Sequence, residues 1–255
     1  MSLWWREQWR VRLAPDLVSV RRRSHGPRRR DLDLTDLEVT QSAGRPDWRA
    51  AVAAFFAGAD AAGRRGAALE IVLSGHFVHY LLLPTTENLS AQDLRAYALH
   101  ELQSLFGADA MAWTFCVGHA AAGLPRVVAA TETALIEELR AQCAPRGLHL
   151  HSVRPLLDAA AAALPAGTAA PDGWLATVEP GRLSVCRLEH GRCMSVRSAS
   201  YSGGHEEPLL TLLEQDALCA GVATQSARLY LQSDRALNCD LLRARGWQVL
   251  PSVLQ

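Results

Sequence analysis

The sequence predicts an α/β fold of two similar lobes, each a mixed β-sheet with helices packed on its faces. Two observations predict it. The order of elements in the first half recurs in the second, and short stretches at the turns match between the halves. A hydrophobic content of 49% over 255 residues is ample for a buried core, which excludes a largely disordered chain.

In the first half, residues 9–23 read as an extended stretch alternating around a turn at Ala14-Pro15-Asp16, and residues 34–39 supply a third strand. This is a β-meander. Residues 46–62 carry Trp48, Val52, Phe55 and Phe56 at helical spacing, and the apolar run 69–73 is a buried strand ending at Ser74-Gly75. The second half repeats the order. Residues 174–178 meet a turn at Glu179-Pro180-Gly181, strands 183–188 and 194–199 flank a turn at Gly191, residues 208–222 offer a helix face of leucines, and strand 228–231 ends at Ser233-Asp234. Pro15-Asp16-Leu17-Val18-Ser19-Val20 aligns with Pro180-Gly181-Arg182-Leu183-Ser184-Val185, and residues 68–74 align with 227–233. The pattern is an internal duplication of a βββαβ unit.

Each copy closes with a helix, a glycine and a strand: 135–146, Gly147 and 148–153; then 236–245, Gly246 and 247–250. Glycine just past a helix suits a left-handed C-cap. Between the first copy's two ends lies material the second lacks: strand 77–83, helix 91–106 with Ser90 as N-cap and Asp93 in its first turn, and strands 112–117 and 126–130. The expected division is lobe 1 over 1–75 and 132–164, an inserted subdomain over 76–131, a Pro/Gly/Ala linker over 165–173, and lobe 2 over 174–255.

The net charge is zero, and all 26 basic residues are arginine. A phosphate-loop lysine, a Schiff-base lysine and a lysine general base are therefore excluded, because each needs an ammonium whose pKa can be tuned. Cys116, Cys143, Cys186, Cys193, Cys219 and Cys239 form no C-x-x-C pair and read as cytosolic thiols, with Cys186 and Cys193 facing across a hairpin as small buried hydrophobes. No apolar run reaches the length of a membrane span. The chain is expected to be cytoplasmic.

A duplicated lobe pair with an insert in lobe one resembles the actin-like ATPase fold, and within it the PilM-type proteins of type IV pili and the cytoplasmic part of the type II secretion protein GspL. The stretch Leu73-Ser74-Gly75-His76-Phe77-Val78-His79-Tyr80-Leu81-Leu82-Leu83-Pro84 carries the resemblance, with Arg146-Gly147-Leu148 and Val153-Arg154-Pro155-Leu156. It implies two ribonuclease-H-like lobes and a βαββ insert. It also implies two Asp-x-Gly hairpins whose bare amides hold ATP phosphates while Asp positions magnesium. This sequence departs from that pattern three times. Ala14-Pro15-Asp16 has no glycine, and its proline has no N–H to give. Glu179-Pro180-Gly181 keeps one glycine but again places proline in the turn. The glycines expected against the nucleoside are replaced by Ser233, Asp234 and Arg235. The expectation is a degenerate site with no cofactor, no metal and no catalytic residue, with Mg-ATP binding in an active ATPase or sugar-kinase-like enzyme as the alternative. The resemblance implies a scaffold of a type IV pilus or type II secretion-like inner-membrane assembly, held at the membrane by partners. Its expected ligand is the cytoplasmic tail of a membrane protein, lying against the insert.

Trp4, Trp5 and Trp9, interleaved with Arg6 and Arg10, are candidates for membrane-surface or partner contact, weighed against packing onto lobe one. The arginine-rich residues 21–30 are followed at once by Asp31, Asp33, Asp36 and Glu38, which argues against a nucleic-acid surface. His76 with His79, and His149 with His151, are expected on strands, where the first spacing sends the rings to opposite faces and denies them a shared metal.

Overall fold

The computed structural model describes residues 7–24, 30–40, 46–62, 66–84, 89–121, 123–164, 172–233 and 235–251. Their backbone groups into two compact units. One holds the described residues of Met1–Val78 with Ala112–Thr114 and Thr131–Pro155; the other holds His79–Met111, Phe115–Ala130 and Leu156–Gln255.

The first unit is a five-stranded sheet in the order β3-β2-β1-β4-β8. Its strands are β1 (Gln8–Leu13), β2 (Leu17–Ser24), β3 (Arg30–Glu38), β4 (Ala68–Leu73) and β8 (His149–Pro155). β1 to β3 form the antiparallel meander, while β1, β4 and β8 run parallel. Trp9, Val11 and Leu13 alternate inward on β1 and meet Val52, Phe55 and Phe56 of α1 (Trp48–Ala62) and Leu135, Leu139 and Cys143 of α3 (Thr133–Arg146) in the buried set. The other face of β1 is polar, with Gln8 and Arg10 both bonded to the Glu70 carboxylate. Taken by itself, this unit has helices on one face of its sheet, where three layers were expected. β8 is an edge strand, and its pairing with β4 jumps from Leu150 to Ser152, so His151 is a bulge residue outside the ladder.

The second unit repeats the plan in the order β11-β10-β9-β12-β13. The strands are β9 (Gly173–Glu179), β10 (Arg182–Glu189), β11 (Arg192–Ser200), β12 (Arg228–Gln232) and β13 (Gln248–Pro251). Here both faces are covered. Trp174, Ala176, Val178, Leu183 and Val185 pack under α5 (Glu206–Ala220) and α6 (Asp240–Ala244), while Leu175, Cys186 and Leu188 pack against α4 (Leu156–Ala163). The strands are apolar on both sides because both sides are buried.

The insert is a three-stranded sheet in the order β5-β7-β6, with β5 (His79–Leu83), β6 (Trp113–Val117) and β7 (Arg126–Glu132), and the helix α2 (Ala91–Phe106). Ser90 caps α2 as its composition predicts, accepting from the Asp93 amide at 3.1 Å. The Arg95 guanidinium lies 4.9 Å from the Phe115 ring centre, and His79 packs on Phe106, so these residues mark the face beneath α2.

Several element boundaries differ from expectation, β3 among them, which spans Arg30–Glu38 where residues 34–39 were expected. β5 begins at His79, two residues late, because Phe77 closes a turn on the Ser74 carbonyl; His76 lies in that turn and not on a strand. α5 begins at Glu206, with Pro208 inside its first turn, where proline's missing N–H costs nothing. α6 spans only Asp240–Ala244, where residues 236–245 were expected. The Asn238 side chain accepts from the Asp240 amide and restarts the helix late. A 3-10 turn over Ala108–Ala112, which no periodicity announced, joins α2 to β6.

Candidate functional site

The two hairpins expected to hold phosphate are both two-residue turns. Leu13 pairs with Val18, and the Ala14 amide donates to the Leu17 carbonyl at 3.0 Å, leaving Pro15 and Asp16 at the tip. Glu179 pairs with Arg182 across Pro180 and Gly181. Gly181 has φ 74°, so the turn has the proline-then-glycine order of a type II turn. In each hairpin one of the two tip amides does not exist. An amide cradle needs several convergent N–H groups, and neither turn can supply them.

The second hairpin is also filled by its own side chains. Glu179 is only 2% exposed, although it ends the strand next to the turn. The Arg182 guanidinium lies close enough to be influenced by Glu179 and by Tyr80 of β5, and burial lowers its pKa. The Tyr201 hydroxyl donates to the Glu179 carbonyl at 2.9 Å, pinning the strand end. The Tyr80 hydroxyl is enclosed, and the Leu157 amide at the start of α4 only partly opposes the shift of its pKa. Burial, reinforced by Glu179 and then by Asp158, pushes the Tyr80 phenol far above the ordinary tyrosine range. A carboxylate, a guanidinium and a neutral phenol thus share the space behind the turn. The site that was to receive phosphate presents a buried carboxylate.

The third expected contact, at the end of β12, is also self-satisfied. Ser233 Oγ accepts from the Arg235 amide at 3.1 Å. Ser74, its counterpart after β4, accepts in the same way from the His76 amide at 3.2 Å. The duplicated serines do the same local work in both units, closing a side-chain turn where bare glycines would leave the backbone open. Asp234 lies outside the described residues, as do Trp4, Trp5 and Arg6.

Trp9 is corrected by its position. It is 1% exposed, its Nε1–H donates to Glu7 Oε2 at 3.3 Å, and Arg22 stacks on it at 5.3 Å, so it is a core residue and not a membrane or partner contact. Arg10 is surface-facing and pairs with Glu70 at 3.4 Å. The arginine-rich run is likewise not a uniform patch, since Arg22 pairs with Glu7 and the register sets Arg22 opposite Asp33 and Arg23 opposite Asp31. Among the described residues no group of three metal-ligating side chains converges. The six cysteines are free, and the Cys186 thiol is held well above its ordinary pKa by its hydrogen bond with Cys193 and by burial.

One surface of the insert remains open. Residues paired across β5 and β7 share a face, so Tyr80 with Ala129 and Leu82 with Val127 lie opposite the face covered by α2. The bond from the Gly118 amide to the Val127 carbonyl sets Cys116 beside Ala129 on the same side. At the Tyr80 end this face is buried against α4, β9 and β10; beyond it Leu82, Val127 and Ala129 are half-buried and Cys116 is exposed. Leu82, Val127 and Ala129 make it apolar, and the Asp158 carboxylate of α4 borders it, near enough to raise the Cys116 pKa. Sequence reasoning had assigned no contact residue here, although the alternation in β5 and β7 contained the signal.

No protein-family profile matches the sequence, and no curated protein does. Solved structures do match. One, from Bacteroides thetaiotaomicron, is described as a protein with actin-like ATPase fold and unknown function; the match covers 98% of this chain and 94% of that one, with a TM-score of 0.67 and 12% identity. A second is the cytoplasmic domain of EpsL, an inner-membrane component of the type II secretion system of Vibrio cholerae, covering 97% and 90% at TM-score 0.59 and 13% identity. A third is the PilM-PilN type IV pilus biogenesis complex, covering 94% and 86% at TM-score 0.61 and 14% identity. The fold is that of the actin-like ATPases. The likeness extends over nearly the whole chain.

Proposed function

We propose that this chain is a non-catalytic docking scaffold of an inner-membrane assembly of the type IV pilus or type II secretion kind. It binds the cytoplasmic tail of a membrane partner, works at the cytoplasmic face of that membrane through the partner, and needs no nucleotide or metal. The observation that carries the reading is the second hairpin: Pro180 withholds an amide, and the buried Glu179 carboxylate stands at its base beside half-buried Arg182. A phosphate brought there would meet a carboxylate in a low-dielectric setting, which is repulsive. The partner surface is the open face of the insert around Leu82, Val127 and Ala129. An extended apolar tail segment fits it, because alternate side chains of a strand can seat on an apolar sheet face.

The test has two arms on the full chain. Calorimetry with Mg-ATP is expected to give no saturable heat. Capture from detergent-solubilised membranes is expected to enrich one bitopic protein whose synthetic tail peptide then binds directly and loses binding with Val127→Glu. Micromolar Mg-ATP affinity would overturn the non-catalytic reading, and a tail peptide indifferent to Val127→Glu would overturn the assigned surface.

A further inference from the structure

Cys186 of β10 and Cys193 of β11 meet across a hairpin whose turn fixes where they stand. Glu189 pairs with Arg192 across His190 and Gly191, which have φ of 51° and 73°. Positive φ at both tip residues gives the two-residue turn that matches the twist of paired strands, so the register beside it is firm. Leu188 therefore stands opposite Cys193, and Cys186, two residues before Leu188 on β10, points to the same side. That side faces α4. Cys186 is buried there with Leu157, Ala160 and Leu188, and Cys193 packs half-buried against the same cluster. The two thiols are diagonal neighbours, close enough to hydrogen-bond to each other, and Cys193 Sγ also donates to the Ser195 carbonyl at 3.0 Å.

The ladder is interrupted at this point. The register shifts between Arg187 and Leu188, so Met194 is left without a partner between Cys193 and Ser195. The strands thus have slack where a bond between the sulfurs would draw them together. The other four cysteines lie on four separate elements: Cys116 on β6, Cys143 on α3, Cys219 on α5 and Cys239 at the start of α6. The first unit has no counterpart, since the matching β2–β3 hairpin contains no cysteine.

We infer that Cys186 and Cys193 form a hydroperoxide-responsive site, which closes reversibly to a disulfide and locks the β10–β11 hairpin. Cys193 reacts first, because it is the half-buried thiol while Cys186 is only 4% exposed. The Cys193 thiolate attacks one peroxide oxygen: an S–O bond forms, the O–O bond breaks, and the departing hydroxide leaves as water with the proton the thiol gave up. Cys186 then attacks the sulfur of the sulfenic acid. The S–S bond forms, the S–O bond breaks, and the departing hydroxide takes the Cys186 proton to make a second water. Two thiols lose two electrons and the peroxide gains them. A dithiol reverses the step by exchange, and transient bonds of this kind are the ones a reducing compartment permits. β11 also lies against β5 of the insert, so the lock extends to that strand. The inference stands on the hairpin alone and does not rest on the proposed function.

The test treats the full chain with hydrogen peroxide, alkylates the remaining thiols and locates any bond by non-reducing peptide mapping. The expected result is a link between Cys186 and Cys193 within one chain, lost on addition of dithiothreitol. Cys186→Ala cannot close the bond, so it should accumulate Cys193 sulfenic acid, trapped by a dimedone probe at least about tenfold above the unmutated chain. Cys193→Ala should leave Cys186 unlabelled. In the linked chain, amide hydrogen exchange of β10 and β11 should slow at least about tenfold. A link between other cysteines or between two chains overturns the inference, as does Cys193 passing to sulfinic acid without a link. Unchanged exchange in the linked chain overturns the lock. Should Cys186→Ala fail to fold, mapping and exchange on the unmutated chain decide by themselves.

Discussion

Asp216 is the charged residue on which most of the second unit's packing converges. It sits on α5 at 2% exposure, accepts from Trp174 Nε1 and from Arg197 Nε at 2.9 Å each, and lies 3.7 Å from Arg187 Nε. The hydrogen bond raises the Arg197 pKa, as expected of a cation sharing a buried carboxylate. Asp216→Ala would leave the Trp174 indole N–H and the Arg197 guanidinium without their acceptor and Arg187 with Glu189 alone, and should cost about 3–5 kcal/mol by denaturant unfolding. Asp216→Asn keeps one acceptor and should cost less. The residue was legible in outline, since Leu209, Leu212 and Leu213 set the buried stripe and Asp216 continues it. Its partners were not legible, because they come from strands 19 and 42 residues away in the chain. Tyr80 supports a second prediction. The fold keeps its phenol protonated, so its folded pKa lies above the unfolded value near 10, and the contribution is complete below about pH 10 and lost as pH rises beyond it. Tyr80 should resist ionisation in an absorbance titration until the chain unfolds. Tyr80→Phe should abolish that delayed step, change stability at neutral pH by no more than about 1 kcal/mol, and raise the pH of alkaline unfolding. An unchanged titration curve would disprove the assignment.

At the level of elements, the meanders, both α/β crossovers and the insert could be read from periodicity, because amphipathic strands and helices announce their buried faces. What periodicity could not give was backbone closure. Gly173 opens β9 at φ 124°, and a Cβ there would lie 2.4 Å from the Arg228 carbonyl oxygen on β12. Nothing in the run Pro171-Asp172-Gly173-Trp174 marks that approach, since it depends on two strands meeting 55 residues apart. Gly173→Ala should therefore destabilise by more than the roughly 1 kcal/mol of an ordinary glycine substitution, with the loss visible as a lower melting temperature. Gly147, by contrast, was predicted and found as a left-handed cap at φ 64°. The helix end and the glycine are adjacent in sequence, so the whole motif is local.

For the molecule as a whole, duplication is the organising fact, and it is carried by chemistry as well as by topology. Trp9 and Trp174 are buried at the same place on the first strand of each sheet, and each indole donates to a carboxylate. Ser74 and Ser233 close equivalent turns. The fold was legible from the repeated element order, while the self-filled hairpin was not, because Tyr80 and Glu179 are 99 residues apart. A whole-molecule prediction follows. A ligand present at 100 times its Kd adds about 2.7 kcal/mol to stability. Millimolar Mg-ATP should leave the melting temperature unchanged within about 1 °C, whereas an intact ten-micromolar site would raise it by several degrees.

The prolines at the hairpin tips have one more consequence. Proline at a compatible turn position narrows the ensemble of the unfolded chain and is worth about 0.4–1 kcal/mol at each such site. A loop that must wrap a nucleotide has to keep its amides bare and its backbone adaptable. With Pro15 and Pro180 in place, each meander is partly preformed before any long-range contact exists, and the two turns become fixed corners for folding. Replacing both with glycine should therefore leave nucleotide affinity absent and slow refolding, a result that stopped-flow fluorescence of the buried tryptophans can read directly.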